Sequence, residues 1–475
     1  MNGMFRPIAA WAAALLLVTS CGSDDGDGGA ATSAPAEGVK VPVVVDTDLA
    51  LDDILALLYV ASSPEVDLLA VTVTGTGEVI CPVGAQRARA LLAAIDVTDV
   101  PVACGDRSPL SGDREFPLTW RTLASRAYDL ELPDVAAPAG TPDAVTLLTE
   151  TINSSAQPVT LLTLGPLTDV AQALRSDPTI ADRLARIVMM GGAVAVDGNV
   201  VPEGSDTAIP VEWNFYIDPE ADAAVLASGV PITLVGLDAT NGVPMTEDVQ
   251  YLLNGNVGTP AIALAGAALN NYVPTYLWDP LAAISAIEPT LVPSHEATIA
   301  VDIEGDDAGR TFADPAGTAV LVADPPADPT AVIGHWVRVL AGLGPDEPLG
   351  EPKQPPLVGY VNVGFDGTTC TATAPTELPV GTVLVTVDDP SDLGFAAIVS
   401  HIVEGVTWEE VMAYALAHPG EQPPMVDDFE IVTATRTDGT LTSPAPVELQ
   451  PGLYGVVCTT VDGAFYRGTS FTVTG

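Results

Sequence analysis

VVVDTDLALDDILALL, residues 43–58, changes character at its centre. The three valines read as a covered strand, because β-branched side chains suit a pleated, buried surface. That strand delivers Asp46 and Asp48 to its end, and from Asp52 the apolar residues recur densely enough for a buried helix. Asp52 and Asp53 occupy its first turn, where unpaired N–H groups favour negative charge. Strand, short polar loop and helix make the first half of a βαβ unit, so the stretch predicts a parallel sheet with ligands gathering at the carboxyl ends of its strands.

The same alternation continues on the C-terminal side, to about Gly342. β-rich runs at 41–46, 67–73, 99–103, 158–163, 186–190, 231–236 and 318–323 alternate with helical stretches at 52–61, 83–95, 141–154, 168–175, 219–228, 259–271, 279–287 and 329–342. An α/β domain with a largely parallel open sheet flanked by helices is expected over 41–342. Around 343–358 the text turns Pro-rich and aperiodic, GPDEPLGEPKQPPLVG, which predicts a linker. From 359 to 475 short β-rich segments at 380–387, 428–434, 453–458 and 470–474 predict a small β-sandwich. TWEEVMAYALAHP adds one helix, with Thr407 able to cap it and Glu409 and Glu410 in its first turn.

Acidic residues outnumber basic ones 62 to 16, a formal charge of -46, which repels nucleic-acid backbones and offers many hard oxygen ligands. With four His scattered along the chain and no CxxC, a zinc or thiolate centre is not expected. No glycine-rich strand-loop-helix motif for a dinucleotide is present either. At the N-terminus one Arg precedes an apolar run from Ile8 to Val18, too short to span a bilayer, followed by Val18-Thr19-Ser20-Cys21. This resembles the lipobox of bacterial lipoproteins, which implies a signal peptide over 1–20, acylated Cys21, a polar tether over 21–40 and a place on the outer face of the cell membrane. An ordinary cleaved signal is the alternative. Four cysteines remain, and their segregation into an early and a late pair suggests disulfides 81–104 and 370–458.

Asp46, Asp48, Asp52 and Asp53 put four carboxylates within eight residues. They repel one another unless protons or a cation intervene, and a divalent cation is the simpler resolution; a solvated acidic loop is the bland one. The spacing is not that of an EF-hand. Phosphatases with an Asp nucleophile also open on strand-DxD, so later motifs must decide.

Those motifs are LGPLTDVAQAL, MGGAVAVDGN, VEWNFYIDPEA and WDPLAAI, and together with DTDLALDD they resemble, in order, the inosine-uridine-preferring nucleoside hydrolase family across roughly 41–342. The resemblance implies Ca²⁺ held by Asp48, Asp53, Asp279 and the carbonyl of Leu164, with Asp46 orienting its neighbours. It implies ribose binding by Asp52, Asn199, Glu212 and Asn214, and attack on the anomeric carbon by a positioned water with Asp48 accepting a proton. Homo-oligomers are usual in the family, although a Pro-linked extra domain can block their contacts. Leu49 and Ala50 depart from the small polar pair that the family places before the double Asp. Thr76 stands where an Asn or Asp often touches ribose, so Thr76 or Glu78 is expected to compensate. EGSDTAIP adds a loop before Glu212.

Trp278 stands before Asp279 where many members have a His, and indole has no useful acid near neutral pH. VEWNF with WDP resembles the purine-specific branch, in which two indoles sandwich the base. Trp278 is the expected first wall, Trp120 the second, and Trp213 touches the sugar or packs beneath the pocket. Purine nucleosides are the implied substrates. The competing readings are a hydrolase of another ribosyl compound and a non-catalytic nucleoside-binding lipoprotein, with Arg107, Arg114 and Arg121 available to offset the acidic surface for a phosphorylated ligand. In the C-terminal region PVELQPGLYGVVC and FTVTG resemble the last strands of a cupredoxin-like domain, but TTVDGAFYRG after Cys458 lacks the His and Met of a copper site.

Overall fold

A computed structural model describes residues 40–474 except 137, 139, 203–206, 273, 354–356, 389–394, 419–422, 434–440, 443–444 and 461–464. The expected signal peptide, Cys21 and all of the tether but Lys40 lie outside the described residues.

The first sheet has nine strands: β1 (Val41–Thr47), β2 (Val66–Val73), β3 (Val102–Cys104), β4 (Val159–Thr163), β5 (Leu184–Met190), β6 (Ile232–Val235), β7 (Ser294–Val301), β8 (Thr311–Ala313) and β9 (Thr318–Ala323). Their spatial order is β3-β2-β1-β4-β5-β6-β9-β7-β8. Every pairing from β3 to β9 is parallel, and only β7 runs antiparallel, to both β9 and β8. The α/β expectation is therefore met. β7 and β8 escaped the sequence reading because SHEATIAV has a single fully buried residue and lacks the continuous apolar run of a covered strand.

Alternation along β1 divides the core. Val43 and Val45 pack with the helices Leu51–Ser62, Pro260–Asn271, Trp278–Ile287 and Pro329–Leu340. Val44 faces the other way, toward Ala144–Ser154, Thr168–Ser176 and Pro219–Leu226. Helices thus cover both faces, which is why the inner strands read as unbroken apolar runs. The strand order reverses between β1 and β4, and a crevice at such a switch point is where open α/β sheets bind ligands.

The last part of the chain forms two further sheets. One orders Cys370–Thr373, Leu357–Phe365, Gly381–Asp388 and Ala445–Leu449; the other holds six strands around Gly452–Thr460. Val361, Phe365 and Val385 of the first share a core with Val399, Val456 and Phe471 of the second, so the β-sandwich expectation is also met. Thr407 accepts from Glu410 N, and the Glu410 carboxylate accepts from Thr407 N at 2.9 Å, a reciprocal cap on Trp408–Ala417. Both expected disulfides, Cys81–Cys104 and Cys370–Cys458, are formed. The Pro-rich stretch is less free than a spacer: Gly350 N donates to Asn256 Oδ1 at 2.6 Å and Lys353 N to Tyr251 O at 2.8 Å.

Candidate active site

The carboxyl ends of β1 and β4 open into a cavity of about 490 Å³. Asp48 sits at its floor, where Oδ1 accepts from Ala50 N at 3.1 Å and Oδ2 from Glu78 N at 3.2 Å. Between Asp48 and the helix, Leu49 adopts φ +55° while buried, a left-handed conformation that costs a residue with Cβ roughly 1–2 kcal/mol. This is one of the two positions where the chain departs from the small polar pair, and the surrounding core holds its side chain. Glycine is required beside Asp48, since a Cβ on Gly77 would come within 2.1 Å of the Asp48 Cβ.

Asp53 Oδ1 accepts from Thr47 Oγ1 at 2.5 Å and from Asp48 N at 2.9 Å. One carboxylate oxygen from each of Asp52, Asp53 and Asp279 falls within 4.8 Å of the others. Asp279 Oδ1 is buried with no hydrogen-bond partner. Burial pushes Asp52 up to about 8, with the charges of Glu78 and Asp48 adding to it, and Asp53 up to about 7. Burial, then the Asp53 charge, raises both Asp48 and Asp279 well above the usual carboxylate range. Crowded hard oxygens with an orphaned acceptor fit a divalent cation of the Ca²⁺ type. The tightest convergence differs from the expected one: Asp52 joins Asp53 and Asp279, while both Asp48 oxygens are engaged by backbone N–H groups. Leu164 lines the same cavity, its carbonyl accepting from Asn214 Nδ2 at 3.0 Å with a lone pair to spare. Asp46 lies beneath, outside the lining, bonded by Thr72 Oγ1 at 2.6 Å.

Asn199, Glu212, Trp213 and Asn214 arrive from the loop after β5 and all line the cavity. Glu212 caps the short helix Trp213–Ile217, accepting from Asn214 N and Phe215 N, and also from Gly192 N at 3.0 Å. Asn199 Oδ1 accepts from Trp213 N at 3.1 Å, and its amide N–H₂ has no partner among the described residues.

Trp120, Trp213 and Trp278 all line the cavity. Trp120 is 38% exposed, a rim position. Sequence reasoning missed Phe116, which stacks on Trp213 at 5.4 Å and closes an aromatic group with Trp120, 5.1 Å from Trp213. It also missed Tyr128, whose hydroxyl donates to Glu78 Oε2 at 2.8 Å inside the cavity. Phe116 lies in FPLTWR, the segment that carries Trp120, and was within reach; nothing in RAYD marks Tyr128. Glu78, pushed up to about 8 by burial and then by the Asp48 charge, lines the cavity. Thr76 does not: its hydroxyl is bonded to Thr74 at 3.1 Å and Thr168 at 2.9 Å, in a buried chain that ends on Asp218. Arg107, Arg114 and Arg121 do not line it either. Arg121 pairs with Glu115 at 2.8 Å, and Arg114 donates to the carbonyls of Tyr216 and Ala308.

Residues 43–336 match the family described as inosine-uridine preferring nucleoside hydrolase. The pyrimidine-specific ribonucleoside hydrolase RihA of Escherichia coli is 31% identical over 280 residues, 56% of this chain and 86% of that protein. The fold matches the inosine-uridine preferring nucleoside hydrolase of Bacillus anthracis with TM-score 0.57 and 27% identity, covering 64% of this chain and all of the other. A purine-preferring ribonucleoside hydrolase from Gardnerella vaginalis matches with TM-score 0.56 and 28% identity, covering 63% and 98%. With the carboxylate cavity at its sheet's switch point and the family pattern running through most of the α/β unit, this chain belongs to the inosine-uridine preferring nucleoside hydrolase family, whose reaction is hydrolysis of the N-glycosidic bond of ribonucleosides.

Proposed function

We propose that the chain hydrolyses purine ribonucleosides to free base and ribose in a Ca²⁺-dependent reaction. The observation that carries this reading is a single cavity with carboxylates converging in one part and five aromatic side chains, Phe116, Trp120, Tyr128, Trp213 and Trp278, in its lining. Asp48, Asp53, Asp279 and the Leu164 carbonyl are the assigned ion ligands, with Asp52 close enough to join them. When bound, Ca²⁺ supplies a hard anchor for ribose hydroxyls and water.

Asn214 Oδ1, the Asn199 amide, Glu212 and Asp52 hold the sugar. Glu78, oriented by Tyr128, takes the role first shared with Thr76. Asp48 accepts the proton of the attacking water, and the surrounding carboxylates stabilise the positive charge that develops on the sugar as the C–N bond opens. One displacement by water inverts the anomeric centre, with no covalent ribosyl intermediate.

The base stacks between Trp278 and the aromatic group, which presents more π surface than a pyrimidine ring covers. The name of the Escherichia coli relative supports the competing pyrimidine reading, and that of the Gardnerella vaginalis protein supports this one. A panel of inosine, adenosine, guanosine, uridine and cytidine, assayed with Ca²⁺ and with chelator, decides. Purines are expected to lead in kcat/KM; leading pyrimidines overturn the specificity, and binding without release of base overturns the activity.

The same reading has the protein exported and held by lipid on Cys21, supported by two disulfides of the kind that persist in oxidising compartments. Mass spectrometry of the membrane fraction should find acylated Cys21 as the first residue.

A further inference from the structure

A second cavity, of about 810 Å³, opens beside the first. The two share Asn199, Val201 and Trp278. Arg310, Asn241 and Asp197 also line the second. Arg310 is exposed, and its guanidinium has no hydrogen bond or ion pair with any described residue; the guanidinium carbon stands 5.8 Å from the centre of the Phe312 ring. In a chain with 62 acidic and 16 basic residues an unpaired arginine stands out. Arg107 is likewise without a side-chain partner among the described residues but lines neither cavity, whereas Arg121 and Arg175 are held by glutamates and Arg114 and Arg186 by carbonyls. A guanidinium left open in a cavity that joins the carboxylate site is suited to a planar or tetrahedral oxyanion, which it can meet with two parallel N–H donors.

Orientation of the substrate, as read above, says which atom reaches it. With the 2′ and 3′ hydroxyls toward the converging carboxylates and the base among the aromatic side chains, the remaining substituent of the nucleoside is its 5′ group. Asn199, whose free amide belongs to both cavities, stands at the boundary that group would cross. We propose that the second cavity is a subsite for a 5′-phosphate, with Arg310 as its anion-binding residue, so that the chain's substrates include nucleoside 5′-monophosphates. This inference rests on the nucleoside-hydrolase reading of the first cavity. The chemistry balances as for a nucleoside. The oxygen of water bonds to C1′, the C1′–N pair leaves with the base, the water proton passes through Asp48, and the products are free base and ribose 5-phosphate. The net charge of the chain weakens long-range attraction of such a substrate, but a direct guanidinium contact acts within the screening length. Asp197, exposed in the same lining, opposes it.

The test compares inosine and uridine with their 5′-monophosphates in the full chain with Ca²⁺. The parent should hydrolyse a monophosphate at least as efficiently as its nucleoside. Arg310→Ala should lower kcat/KM for the monophosphate by about tenfold to a hundredfold while moving the nucleoside by less than about twofold. Arg310→Lys should recover part of the loss, and Asp197→Asn should improve the monophosphate alone. A parent that cleaves nucleosides and ignores monophosphates overturns the subsite and leaves the hydrolase reading standing, as does an equal loss on both substrates in Arg310→Ala. If the parent cleaves no nucleoside, the hydrolase reading fails. Calorimetry then reads the subsite alone: ribose 5-phosphate should bind more tightly than ribose, and Arg310→Ala should erase the difference. Equal binding of the two sugars by the parent overturns it.

Discussion

Near the carboxyl ends of β1 and β4 the α/β unit buries Asp46, Asp48, Asp53, Asp169 and Asp279 at 2% exposure or less, whereas among the described residues of the sandwich Ser400 is the one buried polar side chain. The sandwich core is Val, Phe, Leu and Ala from two sheets, the composition that folding stability alone selects. Among these, Asp46 Oδ2, both Asp169 oxygens and Asp279 Oδ1 have no hydrogen-bond partner; a buried carboxylate left so costs several kcal/mol, so a fold keeps such a group where a ligand or a reaction uses it. The two regions therefore answer substitution in opposite senses.

The largest effect belongs to the carboxylates. Asp53→Ala and Asp279→Asn should lower kcat/KM by about a thousandfold, the scale seen when a preorganised electrostatic contact is removed. In ion-free buffer Asp279→Asn should melt at or above the parent temperature, because Asp279 Oδ1 has no partner to lose and its like-charge neighbours are relieved. Val456→Ala in the sandwich should do the reverse, costing stability and leaving turnover alone. The pH profile sharpens the contrast. Asp52 and Asp53 rise from 3.8 to about 8 and about 7 on folding, so the folded chain holds protons that the unfolded chain releases. Their stabilising protonation is complete below about 4 and lost as pH rises through 7 to 8. Chelated protein should melt at a lower temperature at pH 8 than at pH 5.5, and the gain on adding Ca²⁺ should grow with pH. A chelated protein that gains stability across that window would contradict the buried-carboxylate account.

Next in size is Trp278→Ala. Losing one face of the base stack should lower purine kcat/KM by about tenfold to a hundredfold, the range of aromatic–base stacking. Metal-induced stabilisation should survive, since Trp278 supplies no oxygen. An unchanged purine rate would remove Trp278 from the substrate site.

The disulfides give a crossed comparison. Cys370–Cys458 spans 88 residues and Cys81–Cys104 spans 23, so chain entropy assigns losses of about 5 and about 3 kcal/mol. Function should rank them the other way. Cys81 closes the segment that carries Glu78, so Cys81→Ala with Cys104→Ala should raise KM, while Cys370→Ala with Cys458→Ala should lower the melting temperature further and leave KM unchanged. Equal KM in both variants would show that Glu78 holds its place without the staple.

What could be read beforehand follows from where the information sits. The strand and carboxylates of 43–58 are local, so β1, the helix after it and their acidic residues were legible, and Asp279 became so through the family motif. Segregated cysteines made both pairings legible. Tyr128 was not, because Ala127, Tyr128 and Asp129 all take positive φ, at 52°, 52° and 61°, with no glycine to announce the turn. The role of Thr76 was misread because its partners, Thr74 and Thr168, are joined to it by the fold; β4 and its following helix bring Thr168 in from 92 residues away. Arg107, Arg114 and Arg121 were chosen on charge alone, and charge does not say which arginine lines a cavity.

The smallest expected effect tests whether the two regions are independent. Thr407 and Glu410 cap the sandwich helix reciprocally, and Thr407→Ala should cost about 1 kcal/mol. The helix packs Trp408, Val411 and Met412 against Ile402 and Val457, far from the carboxylates in sequence and separate from both cores of the α/β unit. Turnover should therefore be unchanged. One route could carry an effect across: Arg126, which ends the helix bearing Trp120, lies two residues before Tyr128 and is paired with Asp129, also feels the Asp428 carboxylate as its weakest electrostatic influence. If Thr407→Ala lowers kcat/KM, Asp428→Asn should reproduce the loss without the change in melting temperature, because it removes the charge and keeps the cap. A fall in turnover with Thr407→Ala that Asp428→Asn does not share would mean that the regions communicate by a path other than the Asp428 charge.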